Sequence, residues 1–344
     1  MTITVVGSLN YDLVTYTDRV PDAGETFRAN HFETHMGGKG LNQTIAVAKL
    51  KKDNSERPVR MVGNVGADSF GKELLQTLKD NGVDVDSVGV WPDVKTGVAT
   101  ILVEQQSGQN RIMITAGANG KTTYTGSELA GIFSEQETNS PGSYIVFQHE
   151  IPDPCFIMHW LKTNRPASEI VFNPSPFQPL REEDWAVIDV LVVNEIEALQ
   201  IVQSVYSQEQ LQFYEAAVSS DFVEGYKRLA LEFQKRLVSQ RGSATVIITL
   251  GSHGALFASK EHPEVGYVPA ERVDKVVDTT AAGDTFLGGV VSQLHQGVPL
   301  EDTIEFSSVA SSLTIQRKGA ADSIPAYREV VSRLQARGRH GSGR

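Results

Sequence analysis

Cysteine is nearly absent from this sequence: Cys155 is the only one in 344 residues. A single cysteine excludes an intramolecular disulfide and any zinc site built from several thiolates. It is typical of a protein kept in a reducing compartment. We therefore expect the cytosol as its location, and also the nucleus if the source is eukaryotic.

Long apolar runs and an excess of basic residues are also missing. No apolar stretch approaches the ~20 residues that a membrane-spanning helix needs. The apolar start at residues 1–7 has no basic lead and no cleavage site, so it is interpreted as a strand. Acidic residues outnumber basic ones by 42 to 31, giving a net charge of -11. This charge provides no general attraction for nucleic acid or anionic membranes, so an anionic ligand has to be held by local features.

What is present is a globular composition, 40% hydrophobic and 21% charged, which allows a sizeable core. Short β-branched runs alternate with segments of helical period, the pattern of a mostly parallel sheet covered by helices on both faces. Strands are predicted at Ile3–Gly7, Tyr144–Gln148, Ile170–Asn173, Val190–Asn194 and Thr245–Leu250. Helices are predicted at Leu41–Leu50, Phe70–Asn81, Phe222–Leu237, Thr285–Gln296 and Leu300–Gln316.

Two segments, 13–36 and 97–117, indicate strands without helices. We predict that they form a small β-sheet lid, which excludes water from a site on the main body. The body then comprises 1–12, 37–96 and 118–330. Within it, 120–143 and 204–221 are polar and weakly periodic, and we expect surface excursions there. The region 331–344 is predicted to hold a helix end followed by a flexible Gly/Ser/Arg tail from Arg337.

Small residues lead into a helical pattern at Asp278–Phe286, which reads DTTAAGDTF. A helix start without bulky side chains exposes N–H groups that, with the helix dipole, bind phosphate oxygens. Ala281, Ala282 and Gly283 are the predicted anion hole. Asp284, in the first turn, is the candidate base, because phosphoryl transfer needs only an ordinary carboxylate there. Taken alone, such an acid is more often a plain helix-start residue favoured by the dipole.

A second motif, Gly37–Gln43, reads GGKGLNQ. Its glycines let the backbone approach a ligand closely, and Lys39 and Asn42 offer N–H donors. Taken alone, this run is more often a turn before a helix. It is not a P-loop, because no Ser or Thr follows the lysine.

Together, the two motifs resemble the two signatures of the ribokinase-like carbohydrate kinases, and the resemblance extends from Ile3 to about Pro325. It implies a three-layer α/β/α sandwich with a mostly parallel central sheet and a small β-lid. It also implies transfer of the γ-phosphate of ATP to the 5-hydroxyl of ribose, with Asp284 as base. A homodimer formed through the lids is expected by analogy.

The resemblance further implies three sets of binding residues. The sugar set is Asn10, Asp12, Gly38, Lys39, Asn42 and Glu150, together with Asp284. The nucleotide set is Asn194, Glu197, Thr249, Gly251, Gly254 and Ser308, where Glu197 organises Mg²⁺ through water and Ser308 is smaller than the residue usual in the family. The set for a monovalent cation, K⁺, is Asp278, Thr280, Thr314, Arg317, Gly319 and Ser323.

Simpler interpretations stay open for each set. Asn10 and Asp12 fit a strand-end turn, Asn194 and Glu197 fit a helix cap, and the segment 316–323 fits a surface loop. Two other functions also stay open. One is a related kinase for deoxyribose, fructose, ketodeoxygluconate or a nucleoside. The other is a sugar-binding sensor without catalysis, against which the intact Lys39, Gly283 and Asp284 argue.

Overall fold

The computed structural model describes residues 1–52, 58–107, 109–241 and 244–341. The strands are β1 (Ile3–Val6), β2 (Asn10–Thr17), β3 (His31–Gly37), β4 (Arg60–Gly66), β5 (Asp84–Trp91), β6 (Gly97–Glu104), β7 (Asn110–Thr115), β8 (Tyr144–Gln148), β9 (Glu169–Asn173), β10 (Val190–Asn194), β11 (Thr245–Thr249), β12 (Ala255–Ser259) and β13 (His262–Val268). The helices are α1 (Lys39–Leu50), α2 (Ser69–Asp80), α3 (Gly126–Ile132), α4 (Glu135–Thr138), α5 (Pro154–Asn164), α6 (Glu182–Trp185), α7 (Glu195–Val205), α8 (Gln208–Ser220), α9 (Phe222–Arg236), α10 (Ala282–His295), α11 (Leu300–Thr314) and α12 (Tyr327–Gly341).

The large sheet has the spatial order β13-β12-β11-β10-β9-β8-β1-β4-β5. The parallel strands of this sheet are, from one edge, β5, β4, β1, β8, β9, β10 and β11. Strands β12 and β13 add an antiparallel hairpin next to β11 at the other edge. The central strands are buried on both faces because they are continuous apolar runs, such as ITVV in β1 and VLVVN in β10. The carboxyl ends of the parallel strands therefore meet at one edge of the sheet, where open α/β sheets bind ligands.

Successive side chains of β1 point into two separate apolar clusters. Val5 belongs to the same cluster as Leu41, Ile45 and residues of α10 and α11, whereas Val6 belongs to a cluster with residues of α5, α7 and α9. Helices thus cover both faces of the sheet, and the predicted three-layer α/β/α architecture is confirmed. Within the part of the chain that the structure describes, no helix combines the length and the apolar character needed to cross a membrane.

A second, four-stranded sheet has the order β3-β2-β6-β7. Strand β2 pairs with β3 antiparallel and with β6 in parallel, so Asn10 lies opposite Gly37 and Gly97. Strand β2 begins at Asn10, earlier than the predicted lid segment. Asn10 and Asp12, which the sequence assigned to the body, are therefore the first residues of the small sheet.

Three predicted irregular regions differ from the structure. The segment 120–143 includes α3 and α4, and its Leu129 and Phe133 are fully buried. Helix α8 occupies most of 204–221, where Tyr214 is buried. Helix α12 extends to Gly341, and Arg337 pairs with Glu271 and Glu305 at 3.2 and 3.1 Å, so Arg337, where the tail was predicted to begin, still belongs to this helix. Residues 342–344 lie outside the described residues.

Candidate active site

A cleft of about 260 Å³ lies at the carboxyl edge of the large sheet. Side chains that end β9, β10 and β11 meet there with the starts of α1, α7 and α10. Many of the residues that line the cleft were predicted from the sequence, either in one of the two motifs or in the nucleotide set. They are Lys39, Asn194, Glu197, Thr249, Ala281, Ala282, Gly283 and Asp284. Asn173, Ser175 and Thr279 also line it, although the sequence did not single them out as site residues.

The turn before α10 is held in a strained conformation. Ala281 is the N-cap residue with φ 58°, in the left-handed region that costs a non-glycine residue about 1–2 kcal/mol. The Ala282 N–H donates to the Thr279 carbonyl at 3.2 Å, and the hydroxyl of Ser311 on α11 donates to the Ala282 carbonyl at 2.9 Å. The first-turn N–H groups of Gly283 and Asp284 have no carbonyl four residues earlier within the helix. A Cβ at Gly283 would meet no atom within 4 Å, so the turn is open to a ligand at this residue.

Asp284 is buried, with 7% of its surface exposed. Asn42 Nδ2 donates to its Oδ2 at 3.1 Å, and Gln43 Nε2 donates to its Oδ1 at 3.0 Å. Both donors belong to the second motif, so α1 and α10 bring the two predicted signatures into direct contact. Asn42 Oδ1 is buried and has no hydrogen-bond partner among the described atoms, which leaves it available to a ligand hydroxyl.

The sugar set surrounds the start of α1. Its N-cap Gly38 has φ 88°, and a Cβ there would lie 2.8 Å from the Asn10 nitrogen. Glu150 Oε2 accepts from the Lys39 N–H at 2.9 Å and from the Ser8 hydroxyl. Asn10 is buried, and its Oδ1 accepts from Asn119 Nδ2 at 2.8 Å, which fixes the orientation of the Asn10 amide.

Charges in this region shift two pKa values. Burial, together with the nearby carboxylates of Glu150 and Asp284, raises the pKa of Asp12 from 3.8 to about 7. Burial acts to lower the pKa of the Lys39 ammonium, but the negative charges of Asp284, Glu150 and Glu197 outweigh it, and this pKa is raised. The site is thus a cluster of carboxylates around one ammonium, which suits a ligand rich in hydroxyl groups.

Asn194 and Glu197 form a capping box at the start of α7. Asn194 Oδ1 accepts from the Glu197 N–H at 2.8 Å, and Glu197 Oε2 accepts from the Asn194 N–H at 3.1 Å. The helix-cap interpretation of these residues is therefore confirmed, and both residues also line the cleft.

Three residues of the nucleotide set do not line the cleft among the described residues. Gly251 and Gly254 lie in the turn after β11 with φ 53° and 104°, and a Cβ on Gly254 would be 2.1 Å from the Val268 carbonyl oxygen. The backbone of this turn thus requires Gly254 without reference to a ligand. Ser308 lies on α11 and is half-buried.

The cation set is only partly brought together by hydrogen bonds. Asp278 Oδ1 accepts from Thr280 Oγ1 at 2.6 Å and from its N–H at 2.9 Å, and Asp278 Oδ2 accepts from the Gly319 N–H at 3.1 Å. Burial raises the pKa of Asp278, but these hydrogen bonds outweigh it and hold the pKa below its usual range. The carboxylate of Asp278 thus ties Thr280 and Gly319 together in one loop.

The remaining members of the cation set make no hydrogen bond to Asp278 or Thr280 among the described contacts. The Thr314 carbonyl accepts from the Arg317 N–H at 3.0 Å, and the Ser323 hydroxyl donates to the Ala320 carbonyl at 2.7 Å. The Arg317 side chain pairs with Glu329. Within the described residues, no group of three or more His, Cys, Asp or Glu side chains is arranged to hold a metal ion.

Sequence reasoning missed Gln43 and Asn173 as site residues. Gln43 directly follows Asn42 in the glycine motif, and Asn173 ends β9 as Asn194 ends β10. A polar residue at the end of a buried parallel strand was therefore an available signal for Asn173. The contact between Asn119 and Asn10 spans 109 positions and depends on the fold.

The amino-acid sequence of this chain is similar to those of known carbohydrate kinases. The family model described as pfkB family carbohydrate kinase matches residues 2–327. A ribokinase from Schizosaccharomyces pombe is 38% identical over 95% of this chain and 96% of its own length. A ribokinase from Lactococcus lactis is 35% identical over 97% of both chains.

Similarity to solved structures extends to the fold. The structure of Arabidopsis thaliana ribokinase complexed with ribose and ATP has a TM-score of 0.78 at 28% identity, and it covers 96% of this chain and 97% of the Arabidopsis chain. Sequence match, fold and the joining of both signatures in one cleft lead to the same assignment. The chain belongs to the pfkB family of carbohydrate kinases.

Proposed function

We propose that this protein transfers the γ-phosphate of ATP to the 5-hydroxyl of D-ribose, with Asp284 as the base. The observation that carries the proposal is the buried Asp284 carboxylate, held by Asn42 and Gln43 in the first turn of a helix whose start lines the cleft. The near-full-length relatives named ribokinases and the neighbour complexed with ribose and ATP support ribose as acceptor and ATP as donor.

Ribose is bound between the small sheet and the start of α1. Asn10, Asp12, Lys39, Asn42 and Glu150 supply carboxylate, amide and ammonium groups for its hydroxyls, and Gly38 permits the close approach of the backbone. The unpartnered Asn42 Oδ1 accepts one sugar hydroxyl. Such shared contacts orient the 5-hydroxyl toward Asp284.

ATP lies along the cleft from Thr249 to the start of α10, with its phosphates near Asn194. The turn 281–283 stabilises negative charge on the transferring group through its N–H groups. As the 5-oxygen bonds to the γ-phosphorus, the bond from phosphorus to the β-phosphate oxygen breaks and ADP leaves. Asp284 accepts the hydroxyl proton.

The residues at the cleft fit Mg²⁺ bound mainly by phosphate oxygens. Glu197 lines the cleft, and the described residues offer no acidic cage, which agrees with an ion that keeps waters and takes few protein ligands. Glu197 would hold this ion through water. When bound, Mg²⁺ supplies positive charge for the phosphate oxygens.

The oxygens of Asp278 and Thr280 and the backbone of Gly319 fit a hard monovalent cation such as K⁺. Thr314, Arg317 and Ser323 would add ligands from the neighbouring segment through main-chain or hydroxyl oxygens. When bound, K⁺ supplies a positive field beside the turn that precedes α10.

A homodimer formed through the lids is part of the proposal. Ile112 and Ile114 on β7 are 55% and 52% exposed, and alternation places both on the same face of the small sheet. Ile114 pairs with Ala99, which in turn pairs with Asp12, so this exposed apolar face continues the face that carries Asp12. A second lid seated there would bury these side chains.

The proposal is tested by ADP release with ribose, deoxyribose, fructose, ketodeoxygluconate and a nucleoside, each with and without K⁺. We expect the highest kcat/KM with ribose and faster turnover with K⁺. A higher kcat/KM with another acceptor would reassign the substrate within the family. ADP release with none of the acceptors would favour a non-catalytic sugar sensor.

A further inference from the structure

Two glutamine side chains, Gln43 on α1 and Gln148 at the end of β8, are fully buried behind Asp284. Burying an amide is costly unless its polar atoms find partners. Gln148 Nε2 donates to Gln43 Oε1 at 2.7 Å, and Gln43 Nε2 donates to Asp284 Oδ1 at 3.0 Å. The two amides therefore form a buried chain of hydrogen bonds that ends on the candidate base.

Two acceptors fix the orientation of the Gln43 amide, whereas Gln148 Oε1 is buried without a hydrogen-bond partner among the described atoms. The Asp284 carboxylate accepts, so Gln43 has to present its nitrogen to Asp284 and its oxygen to Gln148. Gln43 Nε2 also donates to Asn173 Oδ1 at 3.3 Å, and Asn173 Nδ2 donates to the Val192 carbonyl at 3.0 Å. Since a carbonyl only accepts, the orientation of Asn173 agrees with that of Gln43.

We propose that Gln43 is a positioning residue for Asp284, an inference that rests on the proposed kinase function. Gln43 occupies one acceptor position of Oδ1 while Asn42 occupies one of Oδ2, which sets the plane of the carboxylate and leaves further acceptor positions for the sugar hydroxyl. Gln43 thus keeps the base oriented in a site that it shares with Asp12 and Glu150.

In the transfer step, the 5-oxygen forms its bond to the γ-phosphorus, ADP leaves with the electron pair of the broken bond, and the hydroxyl proton moves to Asp284. Gln43 itself forms and breaks no covalent bond in this step. Gln148 holds the far side of the Gln43 amide, so its effect on Asp284 is indirect and smaller.

The test is the Gln43→Met variant, which keeps the length of the side chain and removes both polar atoms. We expect kcat with ribose and ATP to fall by about 10- to 100-fold with KM for ribose within about threefold, because the defect lies in the alignment of the base. A merely structural role for Gln43 would change thermal stability, or kcat and KM together, and would not produce this split between kcat and KM.

Gln293→Met is the matched control. Gln293 is a buried amide on α10 that bonds to the Leu50 carbonyl and to Ser292, so the variant makes the same chemical change without touching Asp284. We expect its kcat and its KM for ribose to match those of the wild type. Circular dichroism and thermal unfolding establish that each variant is folded.

Gln148→Met is the second variant, and it decides the question if Gln43→Met does not fold. It leaves the direct donor to Asp284 in place, so we expect a loss in kcat of about three- to tenfold with KM for ribose nearly unchanged. Wild-type kcat in the folded variants would overturn the positioning role alone. Absence of ADP release by the wild type with ribose would instead overturn the proposed function.

Discussion

Three carboxylates share the space where the sugar is proposed to bind, and each has a different environment. Asp284 accepts hydrogen bonds from two side-chain amides, and Glu150 accepts from the Lys39 N–H and the Ser8 hydroxyl. Within the described residues, the Asp12 carboxylate accepts no hydrogen bond. The raised pKa of Asp12 follows from this difference, because burial and neighbouring charge act on it without a compensating donor.

Replacing Asp284 by Asn removes the proton acceptor and keeps the size of the side chain. We expect kcat to fall by about 100-fold or more with KM for ribose nearly unchanged, because the loss is confined to the transition state. Steady-state kinetics with a coupled ADP assay measure this. Turnover equal to that of the wild type would refute the role of Asp284 as base.

The raised pKa of Asp12 predicts a pH-dependent stability. The folded carboxyl keeps its proton up to about pH 7, whereas the unfolded one releases it near 3.8. The folded state therefore loses stability as the pH rises between these values. We expect ligand-free Asp12→Asn to match the wild type at pH 4 and to exceed it by about 1–2 kcal/mol above pH 7, after allowance for solvent screening.

Thermal unfolding of Asp12→Asn and the wild type between pH 4 and 8 measures this difference. Asp86→Asn, at an exposed position of β5, is the matched control for the substitution itself. A difference between Asp12→Asn and the wild type that does not vary with pH would contradict the assignment.

At the scale of elements, the start of α10 depends on its neighbour α11. The Ser311 hydroxyl holds the Ala282 carbonyl, and Thr314 Oγ1 donates to Thr285 Oγ1 at 3.0 Å. These contacts support a turn whose Ala281 is strained, and strain at a site persists only where surrounding structure maintains it.

Ser311→Ala should therefore loosen the turn. We expect kcat/KM for ATP to fall by about fivefold, which corresponds to the loss of one hydrogen bond worth about 1 kcal/mol. Ser312→Ala is the control, because the Ser312 hydroxyl bonds to the Val309 carbonyl within α11. Equal kinetics for the two variants would show that the Ser311 contact is irrelevant to the nucleotide.

The sequence predicted these elements where the pattern was local. Apolar runs defined β8 and β10 with the observed bounds, and the small residues before Asp284 predicted the start of a helix within a few positions. It failed where long-range packing decides. The buried Phe133 lies in a polar segment, and the pairing of Gln43 with Gln148 joins residues 105 positions apart, which no local pattern reveals.

At the scale of the whole molecule, the small sheet leaves apolar side chains of β7 in solvent. Asp12, Ala99 and Ile114 are neighbours across β2, β6 and β7 and lie on one face of the sheet. The exposed part of that face therefore adjoins the proposed sugar site. The opposite face of β7 carries Met113, which is 57% exposed. The two faces can be tested separately.

We expect the wild type to sediment as a dimer. Ile112→Glu should raise the dissociation constant of the dimer by about tenfold or more, because a charge buried in the interface opposes association. Met113→Glu on the other face should leave the dimer intact. Analytical ultracentrifugation over a concentration series measures both. A monomeric wild type, or a dimer disrupted only by Met113→Glu, would contradict the proposed interface.

The start of β2 at Asn10 has a mechanical consequence. Asn10 and Asp12 are fixed to the small sheet, whereas Asn42 and Asp284 belong to helices of the large body. A sugar that touches both pairs bridges two rigid parts, so its binding free energy includes their alignment. Occupancy of the site and the angle between the sheets are then thermodynamically linked, and a mutation that alters this angle changes sugar affinity without touching a sugar contact.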